Sequence, residues 1–473
     1  MFKRVVVVYT LVVGISILAI VGMLQVGSHL LPNAAPPPAA THAGGVIEQI
    51  VAHAQHPLAR LILQLVVIVI AARLCGALAA RLGQPPVIGE IAAGIFLGPS
   101  LLGWVAPGAS GFLFPAASVP TLALLAQLGV LLFMFVVGVE LDPALLRGKA
   151  HAAVAVSHVS IVFPFLLGVT LAIGLYEPYA PKTVPFPSFA LFLGIAMSIT
   201  AFPVLARMLE ERGLSGTPMG TTAITCAAVD DVTAWSLLAF VVAFTTSGGA
   251  FATLSITLLL SLVFVLLMIY VVRPLLVKAL DPEGPNASSR GRMALVIAVM
   301  LGSALATELI GIHALFGAFL AGVIMPSAGG FRRLLRERFE TVSAVFLLPL
   351  FFAFTGLRTQ IGLLDGLNPW LVCLLIIFVA TLGKLGGTVA AARLTGQSWR
   401  DSVTLGALMN TRGLMELVAL NVGYELGILS PEIFAMMVLM ALVTTAMTGP
   451  ILTLTERVGG SAEEKEALAA GRA

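Results

Sequence analysis

Asp230 and Asp231 are consecutive in the run Ala227-Ala228-Val229-Asp230-Asp231-Val232-Thr233-Ala234-Trp235, with almost nothing polar around them. Lys384 stands in a comparable setting, Ala380-Thr381-Leu382-Gly383-Lys384-Leu385-Gly386-Gly387. Arg412 and Glu416 are four apart, so they share a face wherever that segment is helical. Ionisable groups in long apolar segments are expensive and are candidates for function. Two adjacent carboxylates with little water cannot both stay ionised comfortably, so at least one is expected to take up and release a proton. The same oxygens suit a hard cation. Such a pair can therefore hold protons or a cation in competition, and Lys384 is the counter-charge for one of the acids, with Asp230 its expected partner. One acid would suffice to brace helices; two argue for more than bracing.

The elements that carry these residues follow from composition. Of 473 residues, 59% are hydrophobic and only 10% charged, and the mean hydropathy is +1.05. A water-soluble domain carries about 25% charge, so the chain belongs in a bilayer. The formal charge of +3 implies no acidic or basic partner, nucleic acid included. A spanning helix needs about 20 mostly apolar residues. Fourteen such runs are expected: 5–26, 58–80, 86–103, 119–141, 151–175, 188–209, 217–246, 253–277, 293–308, 311–327, 340–357, 369–393, 402–424 and 431–455. The pair 293–308 and 311–327 is separated only by Gly311 and its neighbours. The first run, behind Lys3 and Arg4, reads as an uncleaved anchor followed by a Pro/Ala-rich tether, Pro32 to Gly45.

Lys and Arg orient the chain. With the N-terminus cytoplasmic, 21 basic residues fall on the inner side, three (Arg60, Lys182 and Arg358) on the outer, and Lys384 and Arg412 within spans. Clean alternation supports an even number of spans and both termini inside.

Setting aside the anchor and span 253–277 leaves two groups of six, 58–246 and 293–455, of inverted topology. The fifth span of the first contains Ser198-Ile199-Thr200-Ala201-Phe202-Pro203, and the fifth of the second contains Asn410-Thr411-Arg412-Gly413. Both are polar interruptions at matching positions, the pattern by which inverted-repeat transporters mark a substrate site. A proline deep in a helix removes a hydrogen bond and kinks it. Either break alone is as easily a tolerated kink; together they point to non-helical backbone offering carbonyls and half-helix ends.

Other polar residues carry blander expectations. Glu90, Glu140, Asp142 and Glu308 lie near span ends, where charge is cheap. His29, His42, His53 and His56 share the first outer loop, too loosely spaced for a metal cluster. Cys75, Cys226 and Cys373 lie in apolar runs and read as packing. Gly94 and Gly98 would let another helix approach closely.

Four stretches, Val87-Ile88-Gly89-Glu90-Ile91-Ala92-Ala93-Gly94, Phe135-Val136-Val137-Gly138-Val139-Glu140-Leu141-Asp142-Pro143, Thr200-Ala201-Phe202-Pro203-Val204-Leu205-Ala206-Arg207 and Met409-Asn410-Thr411-Arg412-Gly413-Leu414-Met415-Glu416-Leu417, occur in order with the Asp pair and the Lys between them. They resemble the monovalent cation:proton antiporter-2 family, which includes bacterial sodium/proton and potassium/proton antiporters, Kef-type efflux systems and plant CHX-type exchangers. The likeness runs from about residue 60 to 455. It implies an all-α membrane protein of about 14 helices with the inverted-repeat sodium/proton antiporter fold and two crossed broken helices. The unwound segments would be Thr200–Pro203 and Asn410–Gly413. It also implies a core of spans 151–246 and 369–455 moving against dimerisation spans 58–141 and 293–357, in a homodimer. By the same resemblance Asp231 matches the cation- and proton-binding carboxylate, and Asp230 the acid that pairs with Lys384. Thr200 belongs to the ion site, and Pro203, Asn410, Thr411, Arg412 and Glu416 to the breaks and their charge balance. Family members with two acids here are generally electrogenic. Kef-type relatives carry a nucleotide-binding domain after the last span; the stretch after 455 is too short for one, so residues 456–473 are expected to form a cytoplasmic tail, and 1–57 the anchor and tether.

The resulting expectation is an antiporter, not an enzyme, that exchanges Na⁺ or K⁺ for protons without a cofactor, in contact with membrane lipid and in a bacterial inner membrane. The alternatives are a Kef-like potassium efflux channel or transporter, and an intramembrane aspartyl protease. The protease needs its acids on facing helices, whereas consecutive residues on one helix point about 100° apart.

Overall fold

The computed structural model describes Met23 and residues 56–140, 151–214, 217–247, 251–280, 289–326 and 330–470. The expected first span apart from Met23, the tether Pro32 to Gly45, Asp142 and three of the four outer-loop histidines lie outside the described residues; His56 is exposed. Sixteen helices matter here. They are α1 Pro57–Arg81, α2 Pro86–Leu97, α3 Val119–Glu140, α4 His151–Tyr179, α5 Phe186–Ser198, α6 Phe202–Glu211, α7 Pro218–Thr246, α8 Phe251–Ala279, α9 Ser289–Ile310, α10 Ala314–Val323, α11 Phe331–Val342, α12 Leu348–Arg358, α13 Leu367–Leu394, α14 Trp399–Met409, α15 Leu414–Glu425 and α16 Pro431–Ala470. No strand occurs among the described residues. Among the described residues, ten helical stretches are long and apolar enough to cross a membrane. The expected spans at 188–209 and 402–424 do not count among the ten because each is two half-helices, α5/α6 and α14/α15. Span 311–327 holds only the ten-residue α10. The last helix continues past residue 455 to Ala470, so the expected tail is an extension of α16.

Helix starts follow local chemistry. Prolines open α1, α2, α7 and α16, where a missing N–H costs nothing. Thr217 and Ser398 cap α7 and α14, each hydroxyl accepting a backbone N–H at 3.0 Å, from Gly220 and Asp401. Between α9 and α10 the chain reverses at Gly311, whose φ of +94° favours glycine, as the sequence suggested. Among the described residues, three single π-turns interrupt otherwise α-helical spans, at Met268–Val272, Ser343–Leu347 and Leu382–Gly386. The carbonyl of Val345 in the second accepts from Arg73 Nη2 at 2.6 Å.

Glycine contacts recur at matching places in the two groups. α2 meets α12 where a Cβ on Gly94 would lie 2.0 Å from the Ala353 carbonyl oxygen and one on Gly356 2.3 Å from that of Ile91. α10 meets α3 in the same way, with Gly322 against the Phe135 carbonyl at 2.2 Å and Gly138 against that of Phe319 at 2.1 Å. Helices joined this closely gain dispersion and weak backbone contacts that lipid cannot replace. With Gly129 of α3 seated against Leu347 just before α12, they tie α2, α3, α10 and α12 into one block.

Candidate functional site

The first break is shorter and earlier than expected. α5 ends at Ser198, Ile199–Ala201 are not helical, and α6 begins at Phe202. Pro203 is therefore the second residue of α6, a place a helix tolerates, and it opens a half-helix instead of kinking a continuous one. The second break, Asn410–Gly413, falls where the sequence placed it, and Gly413 sits at a φ of +144°. The two breaks cross and are pinned together: Ala201 N donates to the Thr411 carbonyl at 2.9 Å, and Thr200 Oγ1 to the Met409 carbonyl at 3.0 Å. Thr445 and Thr448 of α16 support the second break, Oγ1 of Thr445 accepting from Arg412 N at 3.2 Å and Thr448 Oγ1 donating to the Ala407 carbonyl at 3.3 Å.

Charges close around the open end of α5. A helix C-terminus carries partial negative charge on unpaired carbonyls. Arg412 donates from Nη1 to the Ala196 carbonyl at 3.0 Å and from Nη2 to that of Met197 at 2.7 Å. Lys384 Nζ donates to the Ser198 carbonyl and to Asp230 Oδ2, the latter at 2.9 Å. The ammonium reaches both because Lys384 lies in the π-turn Leu382–Gly386, a local widening often found at functional sites. Gly383 in that turn seats against Pro164 of α4.

Asp230 is fully satisfied, with Oδ1 accepting from Ser160 at 3.1 Å. Asp231 differs. It is 3% exposed, and its Oδ1 has no protein partner. A buried carboxylate oxygen without a donor is costly unless something else occupies it. Arg412 Nη1 lies 3.3 Å from Glu416 Oε1, both side chains fully buried, although Arg412 itself is not helical. Both side-chain polar atoms of Asn410 are buried and unpartnered. The Thr411 hydroxyl lies a long 3.5 Å from that of Thr448. So Asp230, Asp231, Lys384, Thr200, Asn410, Thr411, Arg412 and Glu416 converge on the crossing.

The residues read as interfacial lie elsewhere. Glu140 pairs with Arg336 at 3.0 Å, Glu308 caps α10 by accepting from Ala314 N at 2.8 Å, and Glu90 is buried. Sequence reasoning missed Ser160, which holds Asp230, and a polar group at the far end of α15 formed by Gln127, Arg358, Asn421 and Glu425. A serine in an apolar helix gives no signal of what it faces, and charges at helix ends look solvated from sequence alone.

Two cavities lie among these helices. One, of about 570 Å³, is lined by Val139, Glu140, Phe202, Ala206, Arg332 and Arg336. The other, of about 30 Å³, lies among Ala126, Val130, Leu315, Phe351 and Val418.

Half-helices that cross at their breaks beside buried acids and balancing cations define the site of a secondary transporter. The family described as "Sodium/hydrogen exchanger, transmembrane" matches residues 68–455. The chain belongs to this sodium/hydrogen exchanger family. It is 45% identical over 390 residues to a protein named Na⁺/H⁺ antiporter NhaS4 from Synechocystis sp., covering 82% of this chain and 95% of that one. It is 41% identical to Cation/H⁺ antiporter 17 of Arabidopsis thaliana, over 86% of this chain and 50% of the relative. It is 34% identical to K⁺/H⁺ antiporter 1 of Saccharomyces cerevisiae, over 78% and 43%. The chain thus spans about half the length of the plant and yeast relatives. The solved sodium proton antiporter MjNhaP1 of Methanocaldococcus jannaschii has the same fold at 16% identity, with a TM-score of 0.51 over 83% of this chain and 96% of that one.

Proposed function

We propose that the protein exchanges a monovalent alkali cation, Na⁺ or K⁺, for protons by alternating access, with Asp231 as the group that holds either. The single observation carrying this reading is the buried, unpartnered Oδ1 of Asp231 beside a neighbour already committed to Lys384 and Ser160. Protonation or a bound cation neutralises Asp231; without either, an uncompensated charge would have to cross the barrier. Thr200 and the unwound backbone supply further oxygens of the kind alkali cations take. Arg412 and Lys384 offset the negative end of α5, and Glu416 balances Arg412.

The division into a mobile core (151–246 and 369–455) and a dimerisation body (58–141 and 293–357) rests on the resemblance; the glycine-bonded block of α2, α3, α10 and α12 supports the second body. The reciprocal contacts also support an inverted repeat. The distribution of basic residues supports both termini in the cytoplasm and the 570 Å³ cavity, with Arg332 and Arg336, on the inner side of a bacterial plasma membrane. Two acids against one lysine favour more than one proton per cation, hence electrogenic exchange.

The test uses reconstituted vesicles with a trapped pH dye. Wild type should relieve an imposed pH gradient on addition of Na⁺ or K⁺, and Asp231→Asn should not. Full exchange by Asp231→Asn would refute the assignment. An electrogenic cycle should also quicken under an imposed membrane potential.

A further inference from the structure

We propose that Glu425 is a latch that closes the outer end of the pathway, held by Arg358 and Gln127, while the site is open to the inside. The proposal rests on the exchange reading above and on its inside-positive orientation.

α15 starts at the crossing and ends at Glu425, so the latch lies about 18 Å from the break at a rise of 1.5 Å per residue. There Glu425 spends both carboxylate oxygens on other helices. Arg358 Nη1 of α12 donates to Oε1 at 2.9 Å, and Gln127 Nε2 of α3 donates to Oε2 at 2.8 Å. Arg358 Nη1 also donates to Asn421 Oδ1 at 3.1 Å, and Asn421 Nδ2 to Thr355 Oγ1 at 2.9 Å. The guanidinium lies over the ring of Phe354, 4.3 Å from its centre, and 5.5 Å from that of Tyr424. Each of these contacts except that with Phe354, which lies on α12 itself, joins α3 or α12 of the glycine-bonded block to Glu425, Asn421 or Tyr424 of the broken helix.

The space behind the latch agrees with closure. The cavity beneath it, about 30 Å³ among Ala126, Val130, Leu315, Phe351 and Val418, holds on the order of one water. At the other end of the same helix α3, Val139 and Glu140 line the 570 Å³ cavity. One helix thus faces a narrow space at Ala126–Val130 and a wide one at Val139–Glu140. Opening outward requires α15 to move against α3 and α12, which breaks the Glu425 bonds together. The side chains of Arg358 and Glu425 are 17% and 24% exposed. Pairs touched by solvent are weak enough to break and remake in each cycle, whereas a dry pair would lock one state.

The test places a single cysteine at Ala126 in a chain whose Cys75, Cys226 and Cys373 are replaced by alanine. A membrane-impermeant maleimide is then added from either face of oriented vesicles. Glu425→Gln and Arg358→Gln should each raise the labelling rate from the outer face by about fivefold or more. The exchanged pair Arg358→Glu with Glu425→Arg should bring the rate back toward that of the parent. No increase in Glu425→Gln overturns the latch. An increase that the exchanged pair fails to reverse also overturns it, since loosened packing would not depend on the sign of the charges. Labelling only from the inner face overturns the assignment of side. Cation-driven proton flux of the parent is measured separately: its absence would refute the exchange reading and leave the labelling rates interpretable.

Discussion

Lys384 Nζ lies 2.9 Å from Asp230 Oδ2, with both side chains fully buried. The same ammonium donates to the Ser198 carbonyl at the end of α5, so one lysine ties the acid pair to the first break. Asp230 is thereby spoken for, and of these two acids only Asp231 keeps a buried oxygen without a hydrogen-bond partner. Two neighbouring residues of the same type are made unequal by what faces them.

Removing the acid of that pair should cost stability before it costs specificity. Asp230→Asn strands Lys384 in a dry site, and breaking a buried pair from one side costs about 3–5 kcal/mol. Thermal unfolding in detergent should fall accordingly, and Asp230→Asn with Lys384→Met should recover most of the loss. If Asp230→Asn unfolds at the parental temperature, the pair does not hold this site together.

Arg412 should not be replaceable by lysine. Its two terminal nitrogens reach two successive carbonyls, Ala196 and Met197, while Nη1 stays 3.3 Å from Glu416. A single ammonium lacks that fork. Arg412→Lys is expected to lose about 1–3 kcal/mol of stability and at least about tenfold of exchange rate, read from unfolding and dye dequenching on the same preparation. Unimpaired exchange in Arg412→Lys would mean that the charge matters and the geometry does not.

The α2–α12 seam sets a steric limit. Gly356→Ala would bring a Cβ to 2.3 Å from the Ile91 carbonyl oxygen, and overpacking of this kind costs about 1–3 kcal/mol or more. Gly302→Ala, on a helix position with no neighbour within 4 Å, serves as the control and should be neutral or slightly stabilising. Equal unfolding temperatures for both variants would contradict the close contact.

His313, in the turn between α9 and α10, should weaken the fold in acid. Burial holds its imidazole below the ordinary 6.5, against the opposing pull of Glu308 and Glu425. Gln127 of α3, Phe354 of α12 and Asn421 of α15 line the same small cavity, and Arg358 lies beside Glu425. Below about pH 6.5 the unfolded chain binds the proton that the folded one refuses, so stability falls as pH drops from that value through the folded pKa. His313→Asn, which tolerates the positive φ of 79° at this position, should flatten that decline. Parallel curves for both proteins between pH 7 and 5.5 would remove His313 as the cause.

Much of this was legible in the chain because a bilayer allows few ways to bury a backbone. The apolar runs, Asp230–Asp231, Lys384 and the break at Asn410–Gly413 follow from composition and local chemistry. Where expectation and structure part, the cause is a partner distant in sequence. Pro203 looked like the break itself, yet the unwinding precedes it, because Ala201 and Thr200 find the carbonyls of Thr411 and Met409 some two hundred residues later. Local residues determined that there would be spans, buried charges and interruptions, since water, lipid and proline act on neighbours. That Ser160 completes the hold on Asp230, which carbonyls Arg412 holds and which helices Glu425 grips were decided by packing alone, because each depends on atoms that only the folded chain brings within hydrogen-bond reach.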